Sequence, residues 1–199
     1  MKCIIFDFDG TMANTNKLII ENIKIFVEEN KIEIPKNYRD YSLRELLELS
    51  KIHPLSAFAF ARKMHNIIGK NIENINLFPG IKEAIEKMKE KYTIGIVTSN
   101  SKKNVLKLLQ RNGINGCISF IEGGNTLLGK DHKIKKIIKK GDFLPNEVLY
   151  IGDEVRDIIA GKKAKTKTAG VAWGINSKTR LKEENPDFFI ENVSELLEI

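Results

Sequence analysis

The sequence predicts an α/β protein: a doubly wound parallel sheet with a small all-helical insertion after its first strand. Short apolar runs of strand length recur along the chain, and most are separated by segments with helical spacing. A third observation is a long stretch, residues 14–77, that offers amphipathic helical spacing and no convincing strand. Apolar runs bounded by helices are what a parallel sheet covered on both faces requires.

The first strand is Cys3–Phe6, and the chain then departs into the insertion. Amphipathic stretches fall near Lys17–Glu29, Ser42–Ser50 and Pro54–Ile68. Ser42-Leu43-Arg44-Glu45 reads as a capping box, with Ser42 and Glu45 satisfying the first free amides of a helix. The sheet resumes near Phe78. Past Pro79-Gly80, the residues Ile81, Ala84, Ile85 and Met88 follow the i, i+3, i+4, i+7 pattern of a helix face. A strand at Ile94–Val97 follows, then a helix carrying Val105, Leu108 and Leu109 that stops at Asn112-Gly113. Further strands are expected at Ile118–Ile121, Val148–Ile151 and Thr168–Ala172, with a helical stretch near Asp131–Lys140. The tail, Ser177 to Ile199, carries a short helix, a turn at Asn185-Pro186-Asp187 and a strand at Phe188–Ile190. This divides the chain into a core, 1–13 and 78–199, and a helical cap, 14–77.

Composition narrows the function classes. The chain has 199 residues, 42% hydrophobic and 30% charged, enough for one good core with an insertion and unlike a disordered chain. No apolar run approaches the roughly 20 residues of a membrane helix, and no signal peptide is read at the N-terminus, so a cytoplasmic protein is expected. Cys3 and Cys117 lack disulfide or metal spacing and are expected to be buried small hydrophobes. The net charge of +7 concentrates in Lys133 to Lys140 and Lys162 to Lys167. Without interleaved aromatics these read as solvated helix faces rather than a nucleic-acid surface, and they would also attract an anionic substrate.

Ligands of an open parallel sheet bind beyond the carboxyl ends of its strands. Three polar clusters occupy such ends: Asp7-Phe8-Asp9-Gly10-Thr11, Thr98-Ser99-Asn100, and Gly152-Asp153-Glu154-Val155-Arg156-Asp157. Lys130, opening a helix, could reach the same rim. Carboxylates this close repel one another and an incoming phosphate, which calls for a divalent cation; Mg2+ suits hard oxygen ligands, here Asp7 and Asp153 plus a main-chain carbonyl. Asp7 is placed to be a nucleophile on phosphorus, and Asp9 to protonate the leaving alkoxide and then activate water, with Gly10 allowing the turn. Thr98, Ser99, Asn100 and Lys130 are the expected phosphate binders.

These motifs, Asp7-x-Asp9-Gly10-Thr11, Thr98 after an apolar strand, Lys130, and Gly152-Asp153-x-x-x-Asp157, resemble those of the haloacid-dehalogenase superfamily. The resemblance is to its phosphatase branch with a C1-type helical cap, phosphoglycolate-phosphatase-like, and it covers the whole chain. It implies Asp7 as nucleophile, and Asp9 as acid/base with its backbone carbonyl on Mg2+. It implies Thr98 and Lys130 as phosphate holders, Asp153 as metal ligand and Asp157 as a supporting acid, with contact of Asp157 or Glu154 to the metal left open. The implied substrate is a small phosphorylated metabolite, with no nucleic acid and no membrane as partner, in a monomer or homodimer. The second aspartate, Asp9, argues against dehalogenation, because a halide needs no proton to leave. A phosphosugar mutase and a non-catalytic binding protein of the same fold stay open as alternatives. His53, His65 and His132 lack mutual metal spacing. Trp173 reads as a core or rim aromatic, Arg156 as screening Asp157 or touching substrate, and Tyr41 and Arg44 as surface or leaving-group contacts.

Overall fold

The computed structural model describes residues 1–199 except 34, 42–44, 46–47, 51–53 and 125–128; at 54, 57, 58 and 61 the backbone alone is described. Among the described residues, six parallel strands form one sheet in the order β3-β2-β1-β4-β5-β6. They are β1 (Cys3–Phe6), β2 (Thr93–Val97), β3 (Phe120–Glu122), β4 (Val148–Gly152), β5 (Lys167–Val171) and β6 (Phe188–Ile190). Phe6 stands opposite Ile96 on one side and Ile151 on the other, so β1 is the centre from which the chain first builds outward one way and then the other. The strand order reverses there, and the carboxyl ends of β1, β2 and β4 share one rim.

Alternating residues of each strand feed two cores, because successive side chains point to opposite faces. Ile4, Phe6, Ile94, Ile96, Leu149 and Ile151 pack with α3 (Ile81–Met88) and α4 (Lys102–Arg111) on one face. Cys3, Ile5, Val97, Val148 and Tyr150 pack with α5 (Lys130–Lys140) and α6 (Val155–Lys163) on the other. This is the doubly wound parallel sheet the periodicity predicts. Both cysteines are buried and unpaired, as expected for small apolar side chains. A short α7 (Lys178–Glu183) follows β5 and buries Leu181.

The third strand starts later than expected, at Phe120 instead of Ile118, because Asn115–Cys117 form a 3-10 turn that reaches Ile118. Lys133 also departs from expectation. It is buried within a stretch read as a solvated helix face, although Lys135, Lys136 and Lys140 are exposed and paired with Asp131 or Glu122.

Between β1 and α3 lie α1 (Asn16–Glu29) and α2 (Pro54–Asn71), the latter running three residues beyond the expected Ile68. The segments entering and leaving this region run side by side: Asn14 N–H donates to Asn76 O at 2.8 Å, and Phe78 N–H to Met12 O at 2.9 Å. α1 buries no residue, and its Phe26 ring lies 4.2 Å from that of Phe60 on α2. The expected capping box rests on Ser42, which with Arg44 and His53 lies outside the described residues.

Candidate active site

Asp7 follows the last residue of β1, and its N–H donates to Ile151 O at 2.8 Å, which locks it to β4. Its carboxylate is almost wholly buried, and Oδ2 receives Lys130 Nζ at 2.8 Å. The same ammonium lies 2.6 Å from Asp157 Oδ1. One cation thus bridges the end of β1 and the first turn of α6, reaching them from the first turn of α5. Tyr150 on β4 donates its hydroxyl to Asp157 Oδ1 at 3.1 Å, and the Glu154 N–H donates to Oδ2 at 3.1 Å.

Asp153 stands at the end of β4 with both carboxylate oxygens held. Thr11 Oγ1 donates to Oδ1 at 2.7 Å, and the Ile175 N–H donates to Oδ2 at 2.8 Å. Gly10, with φ of 80°, turns the chain here, and a Cβ on it would lie 2.4 Å from Asp153 Oδ2. No side chain fits between the two motifs.

Asp9 Oδ1 accepts from Asn100 Nδ2 at 3.1 Å. Asn100 is fully buried and its Oδ1 accepts from both Ser101 N–H (2.8 Å) and Asn104 Nδ2 (2.9 Å). Asn100, expected among the phosphate binders, therefore orients Asp9. Thr98 is buried at the end of β2, and its Oγ1 accepts the Asn100 N–H at 2.9 Å. Lys133 donates to Thr98 O at 2.7 Å and also to Gly124 O, so it ties the end of β2 to the loop after β3. Ser99 lines a cavity of about 320 Å³ with Lys130, Lys133 and Arg156. It also lines one of about 520 Å³ with His65, Asn66 and Lys70 of α2 and Asn104 of α4.

The electrostatics follow from burial. Desolvation pushes the Asp7 carboxyl up to about 7, against the pull of Lys130 and reinforced by Asp157. Burial likewise raises Asp9 to about 6, tempered by the Asn100 hydrogen bond. Asp153 is raised well above the carboxylate range, by burial first and then by Glu154, Asp7 and Asp157. For Lys130, burial works against the charge, but Asp157 and Asp7 outweigh it and hold the ammonium above its ordinary value. Burial, followed by Arg156 and Lys133, lowers His65.

A divalent cation fits this chemistry. Asp7 Oδ1 is buried with no hydrogen-bond partner among the described residues. One carboxylate oxygen each from Asp7, Glu154 and Asp157 lie within 4.8 Å of one another. A cluster of hard oxygen donors and an orphaned carboxylate oxygen on one of its members suit a cation of the Mg2+ type, which would relieve the repulsion among the acids. Asp153 is not in that triad; its two oxygens accept from Thr11 and Ile175.

Other residues singled out in the sequence sit nearby in lesser roles. Arg156 is half exposed and pairs with Glu154. Trp173 Nε1 donates to Thr11 O at 3.0 Å, with its ring edge-on to Phe78, which makes it a rim aromatic. Tyr41 offers its carbonyl to Asn176, and His132 lies by Asp131 at the surface. Sequence reasoning missed Tyr150, Asn104 and Lys133. The last had a signal: positions 130, 133, 134, 137 and 138 form one continuous face of α5, three of them isoleucines.

A profile of haloacid dehalogenase-like hydrolases matches residues 4–171. The chain is 27% identical to a phosphoglycolate phosphatase from Synechococcus elongatus, over 100% of this chain and 96% of that protein. It is 31% identical to the pyrophosphatase PpaX of Anoxybacillus flavithermus, over 98% and 95%. Its fold superposes with a TM-score of 0.81 on a haloacid dehalogenase-like hydrolase from Streptococcus pneumoniae, 19% identical, covering 100% of this chain and 97% of that one. With strand order, motif placement and a profile match across most of its length in agreement, the chain belongs to the haloacid dehalogenase-like hydrolase family.

Proposed function

We propose that the protein is a Mg2+-dependent phosphatase that hydrolyses a small phosphomonoester through an aspartyl-phosphate on Asp7. The observation that carries this reading is the state of the Asp7 carboxylate: fixed at a strand end, one oxygen on Lys130 and the other without a partner among the described residues. A second carboxylate, Asp9, stands two residues on. Asp7 attacks phosphorus while Lys130 offsets charge on the nucleophile and the transferring group. Asp9, protonated for about half its population near pH 6, gives its proton to the leaving oxygen and then takes one from the attacking water. Bound Mg2+ supplies charge neutralisation between the acids and the phosphoryl oxygens. Asp7, Glu154 and Asp157 are the side chains whose oxygens are clustered to hold it, and Asp153, kept in place by Thr11 and Ile175, is a further candidate. Thr98 and the amides near Ser99 complete the phosphate end. Residues 14–77 serve as the cap, and the cleft between α2 and the Ser99–Asn104 segment receives the leaving group.

The relatives set the assay panel: 2-phosphoglycolate, inorganic pyrophosphate, hexose 1-phosphates and other phosphorylated metabolites, each with Mg2+ and with Asp7→Asn as the blank. Release of inorganic phosphate by the parent alone is expected. Isomerisation of a hexose phosphate without phosphate release would instead make the protein a mutase. Phosphate release by Asp7→Asn at the parent rate would refute the nucleophile.

A further inference from the structure

Far from the motifs in sequence, one loop joins the inserted region to Asp153. The loop is Gly174–Ser177, after β5, and it approaches Asp153 so closely that a Cβ on Gly174 would lie 1.9 Å from Asp153 Cβ. Arg39, within the 3-10 turn Tyr38–Asp40 of the insertion, grips this loop with its guanidinium: Nη2 donates to Gly174 O and Nε to Ile175 O, each at 2.9 Å. The loop grips back. Ser177 N–H (2.9 Å) and Asn176 Nδ2 (3.0 Å) donate to Arg39 O, and Asn176 Nδ2 also donates to Tyr41 O at 3.0 Å. Asn176, 4% exposed, uses its Oδ1 to accept the Val155 N–H at 3.0 Å, at the start of α6.

The geometry at residue 174 makes this more than a surface contact. Gly174 C=O and Ile175 N–H belong to one peptide unit, which is planar and trans, so the two groups point to opposite sides. The oxygen is held by Arg39, and the N–H is the donor to Asp153 Oδ2. A guanidinium on the oxygen fixes the plane of the plate and polarises the N–H on its far side. Arg39 thus supplies the side-chain group that holds the oxygen side of the peptide whose N–H faces Asp153.

We propose that Arg39 is a positioning residue for Asp153: docking of the inserted region aligns, through the Gly174–Ile175 peptide and Asn176, a carboxylate of the cation-binding rim. The inference rests on the metal-dependent reading above. Groups that orient a metal-binding carboxylate from behind typically change metal affinity by about 10–100-fold when removed.

The test is direct Mg2+ binding by calorimetry on the full chain, with no substrate present, for the parent, Arg39→Ala, Arg39→Lys, Asp153→Asn and Arg62→Ala. Arg62, exposed on α2, controls for loss of one positive charge. Arg39 is itself exposed, so its alanine variant is expected to fold, with far-UV circular dichroism and metal-free melting close to the parent. Expected is a Kd for Mg2+ raised about tenfold in Arg39→Ala, an intermediate value in Arg39→Lys and no change in Arg62→Ala. Parent-like affinity in Arg39→Ala, with Asp153→Asn weakened, overturns the coupling and leaves the metal reading intact. No Mg2+ binding by the parent overturns the metal reading itself.

Discussion

The rim over β1, β2 and β4 and the inserted region between β1 and α3 are held by different forces. At the rim, Asp7, Thr98, Asp153 and Asp157 are each nearly or wholly inaccessible, and each is hydrogen-bonded or ion-paired, Asp7 and Asp157 to a helix lysine and Thr98 and Asp153 to the loops beside them. In the insertion, α1 has no fully buried residue, α2 and the residue after it send Met64, Ile68 and Ile72 into the core, and the grip on the loop after β5 is made of hydrogen bonds to main-chain carbonyls and amides. Buried polar groups are high-stakes, because an unpaired one is expensive, whereas exposed contacts contribute little each. The rim is thus fixed by the sheet and its loops before any ligand arrives, whereas the insertion is seated by the apolar face of α2 and by polar contacts of Arg39 that a single substitution can remove.

Lys130→Met breaks the contrast at its strongest point. It leaves Asp7 and Asp157 buried without their shared cation, a loss of about 3–5 kcal/mol of stability at pH 8. The sign of the pH dependence follows from Asp7, whose folded value of about 7 lies above that of an unfolded aspartate near 4. A raised acid favours the folded state below the unfolded value and loses that advantage as pH rises through the folded one. That loss is common to both chains up to about 7; without Lys130 the Asp7 carboxyl is pushed higher still, so the deficit of the variant should open as pH rises through about 7, measured by denaturant unfolding without metal, and a deficit independent of pH would contradict the charge-bridge reading.

Asn100→Ala tests a middle level, the orientation of Asp9. The Asn100 amide donates to the ionised carboxylate and so lowers its pKa. Removing it raises the pKa, which keeps Asp9 protonated to higher pH and moves the alkaline limb of the kcat profile upward. A limb that stays in place, or moves down, would remove Asp9 from the role of general acid. The smallest effect is expected in the insertion. Phe26→Ala deletes one ring of the Phe26–Phe60 pair, worth about 0.5–1.5 kcal/mol beyond its area. Amide exchange should quicken in α1 and α2 while the six strands keep parent protection. Equal loss of protection in the sheet would show that the two regions are not separable in this way.

What could be read from the sequence follows the same division. The strand-end acids were legible because a polar cluster directly after a short apolar run leaves few other readings, and the sheet then dictates which ends share a rim. The continuous strand Cys3–Phe6 and the terminal strand Phe188–Ile190 match in both boundaries for the same reason. Arg39 and Asn176 were not legible. Their contact spans 137 positions, and neither residue sits in a local pattern that marks it. Tyr150 reads as another apolar strand residue until its hydroxyl is seen on Asp157. Lys133 was masked by the lysines around it, although its place on the isoleucine face of α5 marks it as the member that turns inward.

The covalent step is the centre of the account, and it can be trapped. Acid quench during turnover of the substrate that the panel selects, then borohydride reduction and peptide mass mapping, reports which carboxylate carries the phosphoryl group. Homoserine at position 7 in the parent, and none in the Asp7→Asn chain, is the result expected. Sustained phosphate release with position 7 unmodified at every quench time, or with the modification on another acid, would contradict it.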